Sequence, residues 1–156
     1  MMAEQSAERL ATRGRIDGGA HYMPLRVYYE DTDASGIVYY ANYLRFTERA
    51  RTDLLRLLGI THSGTMAADD VAFTVRRCEI DYRAPARLDD EIEVETRMVS
   101  VRGASLDAIQ TVRRGGEDLV ATALQIACID SQGRARRLPK GVRKALESLT
   151  PKSTNA

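Results

Sequence analysis

Tryptophan is absent from this 156-residue chain, cysteine occurs twice and proline four times. Two cysteines cannot make a disulfide scaffold, and a chain of this size buries roughly 70 % of its unfolded surface, so it needs no such staple. No apolar run approaches the ~20 residues of a membrane helix. Neither sign of charge dominates: 23 basic against 22 acidic side chains give +1. That balance offers no general electrostatic reason to bind nucleic acid or an anionic membrane. Met1–Ala20 carries Glu4, Glu8 and Asp17 and no apolar centre, which is unlike a secretory leader. Cys78 and Cys128 fall in apolar, strand-like runs and are expected to be reduced core residues of a cytoplasmic protein. His21 and His62 lack the spacing of a metal pair, so a polar surface role is expected for both, with no metal and no cofactor. What remains is ordinary globular composition, 44 % apolar and 29 % charged. It predicts one domain over 21–150 behind a flexible tail over 1–20.

Periodicity supplies the elements. Leu25, Val27 and Tyr29 alternate as a strand, and Glu30–Gly36 reads as a polar turn closed by glycine. From Ala41 to Leu58 the period is helical, with Tyr43, Phe46, Ala50, Leu54 and Leu57 on one stripe and Gly59 at the expected C-cap. The period then changes to two. Val71–Tyr82, Glu91–Val101, Ala104–Arg113 and Asp118–Ile129 each alternate as strands. A change of phase between Val75 and Cys78 predicts a bulge, and Gly115-Gly116 predicts a tight hairpin. Pro139–Leu149 reads as a short terminal helix. One strand, one long helix and four consecutive strands predict an α+β fold with a five-stranded antiparallel sheet.

The densest polar and aromatic stretch runs from Tyr28 to Tyr43, around Asp31-Thr-Asp33-Ala-Ser35-Gly36. Four readings compete there. A calcium loop has oxygen ligands at Asp31, Asp33 and Ser35, but Asn42 stands where a bidentate glutamate belongs. An aspartyl phosphoryl-transfer loop usually sits on a parallel sheet, unlike the one expected here. A turn and helix-cap pair needs no chemistry at all. In the fourth reading Asp33 is a catalytic carboxylate, and the free N–H groups near Tyr40 and Ala41 polarise an acyl carbonyl. Thioester hydrolysis requires little beyond such a pair.

The run Val27–Arg51, with Phe73-Thr-Val-Arg and Asp81–Asp90, resembles the hotdog-fold acyl-CoA thioesterases. It is most similar to the 4-hydroxybenzoyl-CoA thioesterase-like branch that includes the Tol-Pal-associated acyl-CoA thioesterases of Gram-negative bacteria. The similarity extends from about His21 to about Leu146. It implies a long central helix wrapped by an antiparallel sheet, Asp33 as the catalytic acid and the backbone N–H of Tyr40 as oxyanion donor. Many relatives have histidine where this chain has Tyr40, so only a backbone role carries over. A second branch takes its acid from the helix, at the place Glu48 occupies; the Asp-x-Asp-x-x-Gly signature favours Asp33. The resemblance further implies an acyl-CoA substrate, or an acyl group on acyl carrier protein, and pairing into homodimers or homotetramers. Arg102, Arg136 and Arg137, with Arg134 beside them, become candidates for the CoA phosphates, although a solvated charged face explains them as well. A non-catalytic hotdog protein that binds acyl thioesters or envelope-complex partners is the rival reading. A hydratase is a weaker one, because the motif holds no histidine.

Overall fold

The structure, a computed structural model, describes residues 14–151. Six strands form a single antiparallel sheet: β1 (Arg15–Asp17), β2 (Ala20–Arg26), β3 (Ala72–Tyr82), β4 (Glu91–Val101), β5 (Ser105–Arg114) and β6 (Glu117–Ile129), in the order β1-β2-β4-β5-β6-β3. The long helix α1 (Asn42–Leu57) packs on the inner face, and α2 (Lys140–Glu147) closes one end. The four predicted strands after residue 70 lie within a residue of their expected limits, and the bulge falls between Val75 and Arg77.

Several expectations need correction. The sheet has six strands, not five, because Arg15–Asp17 turns through Gly18-Gly19, both at positive φ, to pair with Ala20–Tyr22. The expected tail is therefore structured at its end, while residues 1–13 lie outside the described ones. The first long strand also sits earlier than the Leu25–Tyr29 alternation predicts. Val27 is buried and bonds Asp90 through its backbone, but the Asp31 carboxylate then accepts from the Tyr28 amide and winds Tyr29–Asp31 into a 3-10 turn. A polar side chain competing for the backbone ends the strand. On α1, Tyr43, Phe46, Ala50 and Leu54 are buried as the stripe predicts, but Leu57 is exposed and Leu55 is buried in its stead. The chain folds back after the helix, with the Ile60 amide donating to the Leu55 carbonyl, and so covers that side.

The interior is not one continuous apolar body. One cluster gathers Leu54, Leu55, Met66, Met98, Leu106 and Leu146; the other gathers Val27, Tyr43, Phe46, Val94, Val112 and Val120. Between them His21, Thr96, Gln110 and Thr122 stand side by side on β2, β4, β5 and β6, in register and all buried. Gln110 Nε2 donates to the Thr47 carbonyl and to Thr96 Oγ1, each at 2.9 Å, and Gln110 Oε1 accepts from Arg51 at 2.8 Å. His21 Nε2 meets Asp53 Oδ2 at 2.7 Å. This polar row ties α1 to the middle of the sheet, and buried hydrogen bonds of this kind fix register, although His21 Nδ1 is buried without a partner among the described residues. His21 is thus a buried, carboxylate-paired residue, not the surface histidine its spacing suggested.

Candidate active site

The segment between β2 and α1 is held by its own backbone. Asp33 N–H donates to the Ile37 carbonyl at 2.8 Å, Thr32 pairs with Val38, and Ile37 pairs with Arg87. Gly36 turns the loop at φ 78°, a left-handed conformation that a Cβ disfavours. Asp33 Oδ1 accepts from the Ser35 amide at 2.8 Å. Among the described residues its other oxygen has no partner, and the side chain is exposed. Asp31 is engaged from both ends: its carboxylate caps Tyr28, and its carbonyl accepts from the Tyr39 amide and from Asn42 Nδ2. The turn reading of the two aspartates therefore holds for one oxygen of each.

Helix α1 starts without a side-chain cap on Ala41. The Asn42 amide bonds the Tyr39 carbonyl and the Leu44 amide bonds the Ala41 carbonyl. Among the described residues no acceptor is found for the amides of Tyr40 and Ala41. Two uncapped N–H groups at the positive end of a 16-residue helix are the donors an oxyanion needs. The Tyr40 carbonyl accepts from the Tyr82 hydroxyl at 3.1 Å. Tyr40 leans on Tyr39 and Tyr82 with ring centroids 4.9 and 6.2 Å away, and Tyr82 meets the buried Tyr43 at 5.8 Å. An aromatic series so runs from the core to the solvent beside the helix start.

A cavity of about 280 Å³ lies elsewhere, between α1 and the sheet. Glu48, Arg51 and Thr52 line it with Phe73, Val75 and Leu106; neither Asp33 nor Tyr40 does. Sequence reasoning missed Arg51 and Gln110, although Gln110 occupies an inward phase of β5 between Ala108 and Val112.

Arg102, Arg136 and Arg137 do come together. The Leu138 amide donates to the Gly103 carbonyl, which lays 136–138 against the β4–β5 turn, and the Arg137 guanidinium packs over Gly103. Two of the three are already engaged. Arg102 grips both oxygens of Asp107, holding that carboxyl below the usual carboxylate range, and Arg136 lies 3.7 Å from Asp130. The arginines sit at the far end of β4 from the Asp33 loop, which packs near Asp90. Ten steps of ~3.3 Å separate the two ends, about 33 Å. Among the described residues no group of three or more His, Cys, Asp or Glu side chains converges as a metal site, and no helix is long and apolar enough to cross a membrane.

Residues 27–146 match the family model of the thioesterase-like superfamily. The acyl-CoA thioester hydrolase YbgC of Escherichia coli O6:H1 is 45 % identical over 121 residues, covering 76 % of this chain and 90 % of that protein. The acyl-CoA thioesterase YbgC of Haemophilus influenzae is 41 % identical over 135 residues, covering 86 % and 98 %. Among solved structures, a probable thioesterase from Bartonella henselae superposes with a TM-score of 0.73 at 36 % identity, covering 77 % of this chain and 99 % of that one. A hypothetical protein from Thermus thermophilus superposes with a TM-score of 0.78 at 30 % identity, covering 85 % and 99 %. With the helix-filled antiparallel sheet, these matches make the chain a member of the thioesterase-like superfamily, in its hotdog fold.

Proposed function

We propose that this protein hydrolyses the thioester of acyl-CoA to free acid and CoA, with Asp33 as the acid group and the Tyr40 amide as oxyanion donor. The observation that carries this reading is the uncapped start of α1, close in sequence to a carboxylate whose second oxygen has no partner among the described residues. As general base, Asp33 takes a proton from water while the hydroxyl oxygen adds to the thioester carbon. The Tyr40 amide receives the developing oxyanion, and the C–S bond breaks to release CoA thiolate, which takes up the proton. As nucleophile, Asp33 adds to the thioester carbon and expels CoA thiolate as the C–S bond breaks, forming a mixed anhydride that water then cleaves to the free acid and the regenerated carboxylate. The relatives named acyl-CoA thioesterases favour CoA as the carrier, with acyl carrier protein as a second one.

Arg102, Arg136 and Arg137 serve the CoA phosphates in this reading. At the opposite end of β4 from their own chain's Asp33 loop, about 33 Å along the strand, they suit a site completed by another protomer. β3 is an 11-residue edge strand with no neighbour on its outer side among the described residues. Such an edge invites pairing with a second copy, giving a homodimer or homotetramer. Reduced cysteines agree with a cytoplasmic location.

A second acid stays in play because Glu48, not Asp33, lines the apolar cavity. Free CoA release from a panel of acyl-CoAs tests the hydrolase against the non-catalytic binder: turnover on some acyl group is expected, and binding without release contradicts it. Asp33→Asn and Glu48→Gln, assayed in parallel, assign the acid.

A further inference from the structure

Arg51 reaches the interior polar row from α1 and forms no ion pair among the described residues. Its Nη1 donates to Gln110 Oε1 at 2.8 Å, and among the described residues its remaining N–H donors have no acceptor and no carboxylate lies within 4 Å. Gln110 is fully buried and is itself anchored to Thr47 and Thr96, so the guanidinium is held in place. The same residue lines the cavity of about 280 Å³, where Glu48, Thr52, His62 and Thr74 are the other polar groups and the rest of the wall is apolar, Leu54, Phe73 and Leu106 among it. A half-buried guanidinium without a partner is costly unless something pairs with it.

The groups facing Arg51 do not fill that role. Glu48, one turn earlier on α1, attracts it from a distance without forming an ion pair. The Cys78 thiol is kept neutral by burial, which pushes its pKa up. A planar fork with free donors matches a carboxylate in geometry as well as charge. The volume is at the small end for ligand sites, so it suits part of a substrate, not a whole cofactor. Thr47, at the level of the Gln110 contact, lies seven residues beyond Tyr40, about 10 Å along the helix axis.

Resting on the hydrolase reading, we infer that the cavity under α1 takes the acyl end of the substrate and that Arg51 binds a carboxylate at its far terminus. The preferred thioesters are then half-esters of medium-length dicarboxylic acids, the acyl chain running along α1 from the reacting carbonyl to the guanidinium. Arg51 is a substrate-binding residue that sets specificity.

The test compares kcat/KM for succinyl-, adipyl-, suberyl- and sebacyl-CoA with the monocarboxylyl-CoAs of equal length. At one intermediate length the dicarboxylyl thioester is expected to be hydrolysed about tenfold better, and Arg51→Met or Arg51→Lys to erase that ratio. Monocarboxylyl preference at every length, or a ratio that survives both variants, overturns the inference while leaving the hydrolase intact. If no acyl-CoA is cleaved, the hydrolase reading fails, and free suberate decides the site separately. A rise in melting temperature with suberate but not octanoate, lost in Arg51→Met, supports the carboxylate site; equal shifts or none overturn it.

Discussion

Asp33 uses one oxygen to hold its own loop and leaves the other toward solvent, so its position depends on the turn that Gly36 closes. Gly36→Ala forces a Cβ into a left-handed conformation, at a cost of about 1 kcal/mol. The expected result is a small loss in denaturant stability with a larger fall in kcat, because the carboxylate moves relative to the helix start. A second residue-scale expectation concerns Glu95, nearly buried on β4. Burial pushes its pKa up, but hydrogen bonds from Arg113 and Arg97 outweigh this and hold it below the usual range. A depressed folded-state pKa stabilises the protein above the unfolded value of about 4.3 and loses that contribution as pH falls through the folded one. Glu95→Gln should therefore melt lower at neutral pH and lose less stability than the parent between about pH 5 and pH 3, read by thermal melts across that range.

The elements themselves were largely legible before any coordinates. α1 and the strands after residue 70 follow from periods of 3.6 and 2, and the bulge from a slip of phase. What escaped was polar and non-local. His21, Thr96, Gln110 and Thr122 lie up to a hundred residues apart in the chain and become a row only through strand pairing. Alternation places Gln110 inward but cannot say that Arg51 meets it. β1 was hidden by its length of three residues. Asp33 and Tyr40 are singled out by the resemblance of the strand-to-helix segment to a known family, since spacing alone leaves a turn and helix cap open, whereas their relation to the cavity and to the arginine cluster is set by the sheet. Gln110→Leu removes the partner of Arg51, Thr96 and the Thr47 carbonyl together. It should cost roughly 1–3 kcal/mol in urea denaturation, more than a volume-conserving apolar swap elsewhere in the core.

On the scale of the whole molecule, the separation between the Asp33 loop and Arg102, Arg136 and Arg137 is hard to reconcile with a site built from one chain. Sedimentation equilibrium should give a mass of two or four chains, and a β3 substitution such as Val75→Lys should shift it toward the monomer. A parent protein that stays monomeric at assay concentration and still turns over contradicts that assembly. The proposed chemistry turns on one carboxylate, Asp33, close in sequence to the uncapped amides of α1. Its most direct test is the rate of CoA release by the parent, Asp33→Asn and Glu48→Gln on one good substrate, with circular dichroism showing all three folded. Loss of about 10²–10⁴ in kcat for Asp33→Asn and little change for Glu48→Gln is the predicted result; undiminished turnover in Asp33→Asn would contradict it.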